Sequence, residues 1–251
     1  MKRTISIFLL LTIAITGYSQ TWKRNRVEVF AGIPINHYFG DIGGSASSSS
    51  ILGIKDISYR AVRSGISFGA IFRLNEALYV QGATNIGYLG NTDEGSRNEA
   101  RNYGFSTFTT EVTATAMFFL IPESSQNYFY SVMDLRGGLR KINKPFSLYV
   151  FAGTGGLFYK VTPRLNLVTS DRFDNTQKFA TVIPFGVGVK YQLLPRTLLG
   201  AELGARYVLS DYIDGFSPSQ SKHNDVYYTL SFKLYYRISY EKFIKKSVKW
   251  F

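Results

Sequence analysis

Hydrophobic residues alternate with small or polar residues at period two along three consecutive stretches, Phe179–Leu193, Leu199–Leu209 and Val226–Tyr240. In the last stretch Phe232 lies on the apolar face and Lys233 on the polar face. Such alternation is the pattern of β-strands with two different faces. A strand that crosses a bilayer needs about 9–11 residues, whereas strands of soluble proteins usually have about 5–6. The pattern therefore predicts membrane-spanning strands that face lipid on one side and a lumen on the other.

The same alternation predicts five earlier strands. They are Arg26–Ile33, Gly65–Leu74, Leu78–Leu89, Phe105–Leu120 and Phe146–Tyr159. An even number of strands brings both chain ends to one side, and the sheet must close because lipid offers no hydrogen-bond partners to the backbone. The sequence thus predicts an all-β fold, an eight-stranded antiparallel transmembrane β-barrel integral to the cell outer membrane.

The connections alternate between short and long, as periplasmic turns and extracellular loops do. Asn75–Ala77 and Leu194–Thr197 are predicted periplasmic turns, and Ile121–Pro145, on the same side, is unusually long for a turn. Four segments rich in Gly, Ser, Asn and Asp are predicted extracellular loops: Pro34–Ser64, Gly90–Gly104, Lys160–Lys178 and Ser210–Asp225.

The N-terminus has the layout of a secretory signal peptide. Lys2 and Arg3 precede the apolar run Ile5–Ile15, which is too short to span a membrane as a helix, and the small residues Gly17 and Ser19 follow. We therefore expect a signal peptide at residues 1–19, a barrel at 20–240 and a basic periplasmic tail at 241–251. With no cysteine in the chain, a disulfide framework and a thiolate metal site are excluded.

Charged residues recur on the polar faces of the predicted strands. They are Glu28, Arg73, Glu111, Lys190, Glu202, Arg206, Lys233 and Arg237. An eight-stranded barrel is just wide enough for its own side chains, and unpaired charges in so narrow an interior are costly. The favoured interpretation is a network of ion pairs that fills the lumen, and the alternative is a conducting or proton-relaying pathway.

Residues that could perform chemistry are sparse. The two histidines, His37 and His223, fall in predicted loops, and Asp211, Asp214 and Asp225 follow no calcium-binding pattern. The glycines at 153, 155 and 156 lie in a predicted strand with no helix after it, so they do not form a phosphate-binding loop. We expect a non-enzymatic protein with no catalytic residue, cofactor or metal, and with neither nucleic acid nor a small molecule as partner.

Basic residues concentrate in the two predicted periplasmic segments, the turn Ile121–Pro145 and the tail Glu241–Phe251. The candidate partner contacts in them are Arg136, Arg140, Lys141, Lys144, Lys242, Lys245, Lys246 and Trp250. Cations mixed with a few apolar anchors suit the rim of a protein interface. Contact of the same cations with lipid phosphates is the alternative, and both interpretations stay open.

Five short segments resemble, in the same order, sequence signatures of the PorG-like outer-membrane proteins of the type IX secretion system. They are Tyr38–Ile42 (YFGDI), Leu148–Gly153 (LYVFAG), Ile183–Tyr191 (IPFGVGVKY), Ser210–Asp214 (SDYID) and Asn224–Tyr228 (NDVYY). The sequence departs from the family at Gly215, where a second acid is common, in its basic turn and in its longer tail.

The resemblance implies a non-enzymatic barrel that anchors or organises periplasmic components of a protein secretion system. It also implies partners, the periplasmic ring of a PorK-like lipoprotein and PorN, together with outer-membrane lipid. The alternative function is a stand-alone small barrel for membrane integrity or surface adhesion.

Overall fold

Eight antiparallel β-strands make up most of the structure, a computed structural model that describes residues 26–39, 42–43, 61–96, 98–123, 145–171, 173–174, 176–194, 196–210, 212–216 and 225–238. The strands are β1 (Val27–Phe39), β2 (Val62–Arg73), β3 (Leu78–Thr92), β4 (Tyr103–Ile121), β5 (Phe146–Leu165), β6 (Phe179–Leu194), β7 (Thr197–Val208) and β8 (Val226–Ile238). Two 3₁₀-helices, Glu99–Arg101 and Asn166–Thr169, lie in the loops. Among the described residues, no helix has the length and apolar character needed to span a membrane.

Each strand pairs with its neighbour in sequence, and β8 pairs with β1, so the sheet is a closed barrel. The β1–β8 pairing is in register over the full length of both strands, from Val27 opposite Ile238 to Phe39 opposite Val226. At the tight turn between β2 and β3, the Asn75 side-chain oxygen accepts hydrogen bonds from the backbone N–H groups of Ala77 and Leu78, at 2.9 and 2.7 Å. The predicted eight-stranded antiparallel barrel is confirmed.

The two faces of the strands differ as the sequence pattern predicts. Large apolar side chains at outward positions remain exposed on the isolated chain: Leu203 is 54% exposed and Phe232 53%. At the neighbouring inward positions, Glu202 and Lys233 are buried. An apolar exterior around a polar interior is the arrangement of an outer-membrane barrel, in which every backbone group is paired within the sheet. The predicted location, integral to the outer membrane, is thereby confirmed.

Strand β1 is longer than predicted, because the sequence interpretation ended it at Ile33 and began a loop at Pro34. The structure continues β1 to Phe39. The ladder between β1 and β2 skips Ile33 and Pro34, whereas the ladder between β1 and β8 runs through both. A proline has no N–H to donate, and here it lies where one of the two ladders is interrupted.

The wall formed by β3, β4 and β5 is also longer than predicted. β4 has 19 residues and β5 has 20, well above the about 9–11 that a bilayer crossing needs. Parts of the predicted second and third loops are therefore strand, and this wall extends on the extracellular side. In β5, a Cβ added at Gly153 would lie 2.6 Å from the Thr115 Cα of β4, so glycine permits the close approach of the two backbones there.

The predicted signal peptide at residues 1–19 and the tail at 241–251 lie outside the described residues. So do residues 124–144, which make up most of the long periplasmic turn.

Candidate functional site

The barrel interior is the candidate site. All eight charged residues predicted to face the lumen are buried, each with at most 7% of its surface exposed: Glu28, Arg73, Glu111, Lys190, Glu202, Arg206, Lys233 and Arg237. They come from six different strands and arrange along the barrel axis in three clusters.

At the periplasmic end, two carboxylates and two cations alternate in a closed four-membered ring. The Lys190 Nζ lies 2.7 Å from Glu28 Oε2 and 3.1 Å from Glu123 Oε1. The Arg237 guanidinium lies 2.9 Å from Glu28 Oε1 and 2.5 Å from Glu123 Oε2. Each charge therefore has two partners of opposite sign. The ring joins β1, β6 and β8 to the segment that follows β4, and so it connects different walls of the barrel.

Aromatic side chains surround the ammonium group of Lys190, one of the two cations in the four-membered ring of ion pairs. The Lys190 Nζ lies 4.5 Å from the ring centroid of Tyr235, 5.4 Å from that of Phe119, 5.6 Å from that of Tyr79 and 6.0 Å from that of Tyr149. A cation within about 6 Å of an aromatic centroid is attracted to the ring face. Rings and carboxylates together replace the water that Lys190 loses on burial.

Glu123 was not predicted as an interior residue, because it follows the end of β4 at Ile121. Its burial raises the pKa of the carboxyl group, but the charges of Lys190, Arg237 and Arg73 outweigh that effect and lower the pKa from 4.5 to about 2. The inward residues of β4 are the odd-numbered ones, such as Glu111 and Phe119. If this alternation is continued two residues past Ile121, it predicts that Glu123 faces the interior.

The middle cluster is centred on Glu202 of β7. Its Oε1 accepts hydrogen bonds from the hydroxyl groups of Tyr149, at 2.6 Å, and Tyr235, at 3.1 Å, and its Oε2 pairs with the Lys233 ammonium. Lys233 also lies over the Phe30 ring, with its Nζ 4.5 Å from the centroid. Within the described residues, Glu202 is the carboxylate that Lys233 pairs with.

The tyrosine rings of the middle cluster occupy space left by inward-facing glycines. A Cβ at Gly188 would lie 2.6 Å from the Tyr149 Cε2, and one at Gly200 would lie 2.6 Å from the Tyr235 Cε2. Glycine on one strand thus makes room for a ring from a neighbouring strand. Neither tyrosine was among the predicted site residues, although both have the sequence parity of inward positions.

The upper cluster is centred on Glu111 of β4. It accepts hydrogen bonds from Asn85, at 2.8 Å, and from the Tyr227 hydroxyl, and the Arg206 Nε lies 3.7 Å away. A cavity of about 10 Å³ adjoins this cluster. Such a volume holds about one water molecule.

At the extracellular mouth, buried groups meet from three of the segments that carry the PorG-like resemblance. The Tyr38 hydroxyl donates to Asp225 Oδ1 at 2.5 Å, and the Ile213 backbone N–H donates to Asp225 Oδ2 at 3.1 Å. The Ile213 carbonyl accepts a hydrogen bond of 2.7 Å from Thr107 Oγ1. Tyr38, Ile213 and Asp225 belong to segments far apart in sequence, and the structure brings them into one buried cluster.

A second carboxylate, Asp93, organises the neighbouring loops. It is fully buried and accepts hydrogen bonds from the Arg101 guanidinium, at 2.8 and 3.0 Å, and from the backbone N–H groups of Gly43 and Tyr103, at 3.0 and 3.1 Å. It thereby holds the first and second extracellular loops together at the mouth.

Of the residues considered for catalysis or metal binding, His37 lies elsewhere than the sequence predicts. His37 lies in β1 and not in a loop, with its ring centroid 4.4 Å from that of Phe39. The described residues contain no group of three His, Cys, Asp or Glu side chains that could hold a metal. His223, Asp211 and all eight candidate partner contacts lie outside the described residues.

In fold, the chain is similar to solved barrels of low sequence identity. One is Ail, the attachment invasion locus protein of Yersinia pestis, in complex with the heparin analogue sucrose octasulfate, with 15% identity and a TM-score of 0.43 over 86% of this chain and 99% of that one. Another is the outer membrane protein OprG of Pseudomonas aeruginosa, with 7% identity and a TM-score of 0.48 over 86% and 97%. A third is Neisserial surface protein A, with 15% identity and a TM-score of 0.41 over 84% and 97%.

The sequence matches none of the curated proteins. A family model described as "Domain of unknown function (DUF6089)" matches residues 2–236, and the chain belongs to this family.

Proposed function

We propose that this protein is a non-enzymatic outer-membrane β-barrel that anchors or organises periplasmic components of a protein secretion system, as the PorG-like resemblance implies. The observation that carries the proposal is the filled interior. Paired charges and aromatic rings join the walls at three levels, and the cavity beside Glu111, about 10 Å³, is far too small for a solute. A body of this kind suits a rigid anchor better than a transport pathway.

The proposal has a direct consequence for transport. Purified protein in planar lipid bilayers is expected to show no stable conductance of porin size, because its own side chains occupy the lumen. A reproducible large open channel would contradict the proposed anchoring function and favour the alternative, a conducting pathway.

The periplasmic end offers a place where a partner's position could be fixed. Glu123 lies at the start of the long turn. Its ion pairs with Lys190 and Arg237 fix that start at the periplasmic end of the barrel. A protein bound near this start would therefore be held at a defined position relative to the barrel. The partner that the resemblance implies, and that we propose, is a secretion ring of PorK-like and PorN-like proteins.

The experiment is co-purification from cells that secrete through the system. We compare the wild-type chain with a deletion of Glu241–Phe251 and with a variant in which Arg136, Arg140, Lys141 and Lys144 are all replaced by Gln. Lys178→Gln, which removes an exposed cation near the extracellular end, is the control. Folding of each variant is checked by heat-dependent mobility on gels.

The periplasmic variants are expected to fold but to lose the ring proteins, while Lys178→Gln retains them. Retention of the same co-purifying proteins and of secretion in both periplasmic variants would overturn the anchoring function. That result would leave the alternative, a stand-alone barrel for membrane integrity or surface adhesion.

A further inference from the structure

The outer wall of the barrel carries only two charged side chains within the eight strands, and both are cations on β5. The strands contain eight Lys or Arg residues, and six of them occupy inward-facing alternate positions: Arg63, Arg73, Lys190, Arg206, Lys233 and Arg237. The three strand carboxylates, Glu28, Glu111 and Glu202, are also inward and buried. The exceptions are Lys160 and Arg164, which are exposed.

The outward direction of these two residues follows from the register. Lys160 lies opposite Phe108 and Arg164 opposite Gly104 on β4, in a ladder that continues without a shift from the membrane-spanning part of β5. Phe108 and Phe158, on the same face, are 41% and 54% exposed. Both side chains are exposed, and among the described residues neither Lys160 nor Arg164 forms an ion pair.

Aromatic residues border the two cations on the membrane side. The Phe158 and Phe179 rings are tilted against each other with centroids 5.0 Å apart, and the Tyr88 and Phe108 rings meet edge to face with centroids 5.3 Å apart. All four rings are exposed on the outer wall. Aromatic side chains of barrels concentrate where hydrocarbon meets the head groups. Since β5 runs from the periplasmic to the extracellular side, these rings mark the outer leaflet, with Lys160 opposite Phe108 at the edge of the girdle and Arg164 beyond it.

The heights of Lys160 and Arg164 above Phe158 indicate which class of lipid head group can contact both cations. A strand rises about 3.3 Å per residue and tilts by about 40°. The Lys160 Cα therefore lies about 5 Å, and the Arg164 Cα about 15 Å, above the Phe158 Cα along the barrel axis. The head-group region of a phospholipid leaflet is only about 5–8 Å thick. A ligand that reaches both cations must have a taller anionic head group.

We propose that Lys160 and Arg164 form a binding site for the phosphorylated head group of an outer-leaflet glycolipid of the lipid A type. Phosphate oxygens pair with the ammonium and guanidinium groups. The exposed Thr162, between the two cations on the same face, supplies a hydroxyl group for the sugar. The acyl chains then lie along the apolar wall below Phe158.

The test is the lipid bound to the full mature chain in nanodiscs. The discs contain phosphatidylcholine with an equal mole fraction of diphosphorylated lipid A, dephosphorylated lipid A or phosphatidylglycerol, and bound lipid is counted by native mass spectrometry. Each Lys or Arg near an anionic lipid surface strengthens binding by about fivefold. K160Q/R164Q is therefore expected to lower binding of diphosphorylated lipid A by about 30-fold.

The controls separate a site from a generally basic surface. K178Q removes an exposed cation of the same end that follows the inward alternation of β6, in which Ala180 and Val182 are buried, and is therefore expected to change binding by less than about twofold. K160R/R164K keeps both charges and is expected to retain the lipid, while the dephosphorylated form binds weakly to every variant. If K160Q/R164Q binds as wild type, or K178Q loses as much lipid, or phosphatidylglycerol binds as tightly as lipid A, the proposal is wrong.

Discussion

Replacement of Glu202 by Gln tests whether the buried charges stabilise the barrel as pairs. The substitution keeps the size of the side chain and an oxygen that can accept from Tyr149 and Tyr235, but it removes the negative charge beside Lys233. Lys233 is only 5% exposed, and Glu202 is the carboxylate that it pairs with within the described residues. Removing one partner of a buried ion pair costs about 3–5 kcal/mol, because the other charge remains buried without compensation.

Glu28→Gln gives a matched comparison within the same lumen. Lys190 and Arg237, the two partners of Glu28, each keep an ion pair with Glu123. The free energy of unfolding is therefore expected to fall less in Glu28→Gln than in Glu202→Gln. Glu99→Gln, at an exposed carboxylate of the second loop, is expected to change it by less than about 0.5 kcal/mol.

The assay is reversible urea unfolding of each variant in phospholipid vesicles, followed by far-ultraviolet circular dichroism and by gel mobility. The double variant Glu202→Leu with Lys233→Met removes both charges and is expected to recover most of the lost stability, because neither charge is then left alone. A Glu202→Gln variant within about 1 kcal/mol of wild type would refute the reasoning. So would a double variant no more stable than Glu202→Gln.

Two further predictions concern Glu123 at the periplasmic end of the barrel and two leucines on its lipid-facing side. Since the pKa of Glu123 is lowered from 4.5 to about 2, its ionised form contributes about 3 kcal/mol above pH 4.5, and this is lost as the pH falls toward 2. The difference in unfolding free energy between wild type and Glu123→Gln is expected to vanish over that range, and a pH-independent difference would contradict the cause given. Leu203→Arg, at the middle of β7, is expected to cost about 2–4 kcal/mol in vesicles, against about 0–1 for Leu193→Arg near the end of β6. Equal costs would mean that the assigned depths are wrong.

The number of strands and the direction of their side chains could be predicted because both follow from local alternation. Strand ends could not, and Pro34 shows why. A proline in isolation predicts a break, but in the barrel its missing N–H falls where one ladder is already interrupted and the other ladder continues. Pro184 of β6 is accommodated in the same way, since the β5–β6 ladder skips it while the β6–β7 ladder includes it. Such compensation depends on the neighbouring strand and is absent from the local sequence.

The membership of the charge network was also largely visible in the sequence, whereas its pairing was not. The alternation of inward and outward positions places Glu28 and Lys190 inside the barrel. Only the closed geometry brings these residues, 162 positions apart, together, with the Lys190 Nζ 2.7 Å from Glu28 Oε2. Glu123 escaped prediction because it lies past the strand. The tyrosines that donate to Glu202 escaped because an inward aromatic residue in a strand is more simply explained by packing.

The pairing of β1 with β8 has a consequence for how the protein is made. The hydrogen bonds from Arg237 to Glu28 and from Thr229 to Asn36 join residues 209 and 193 positions apart. Contacts of such sequence separation form slowly, because a long loop must close before any interaction offsets the lost entropy. Nearly the whole polypeptide must therefore be synthesised and exported before the first strand acquires its second neighbour. Until then both outer edges of the sheet are open, and a chaperone or insertion machinery has to protect them.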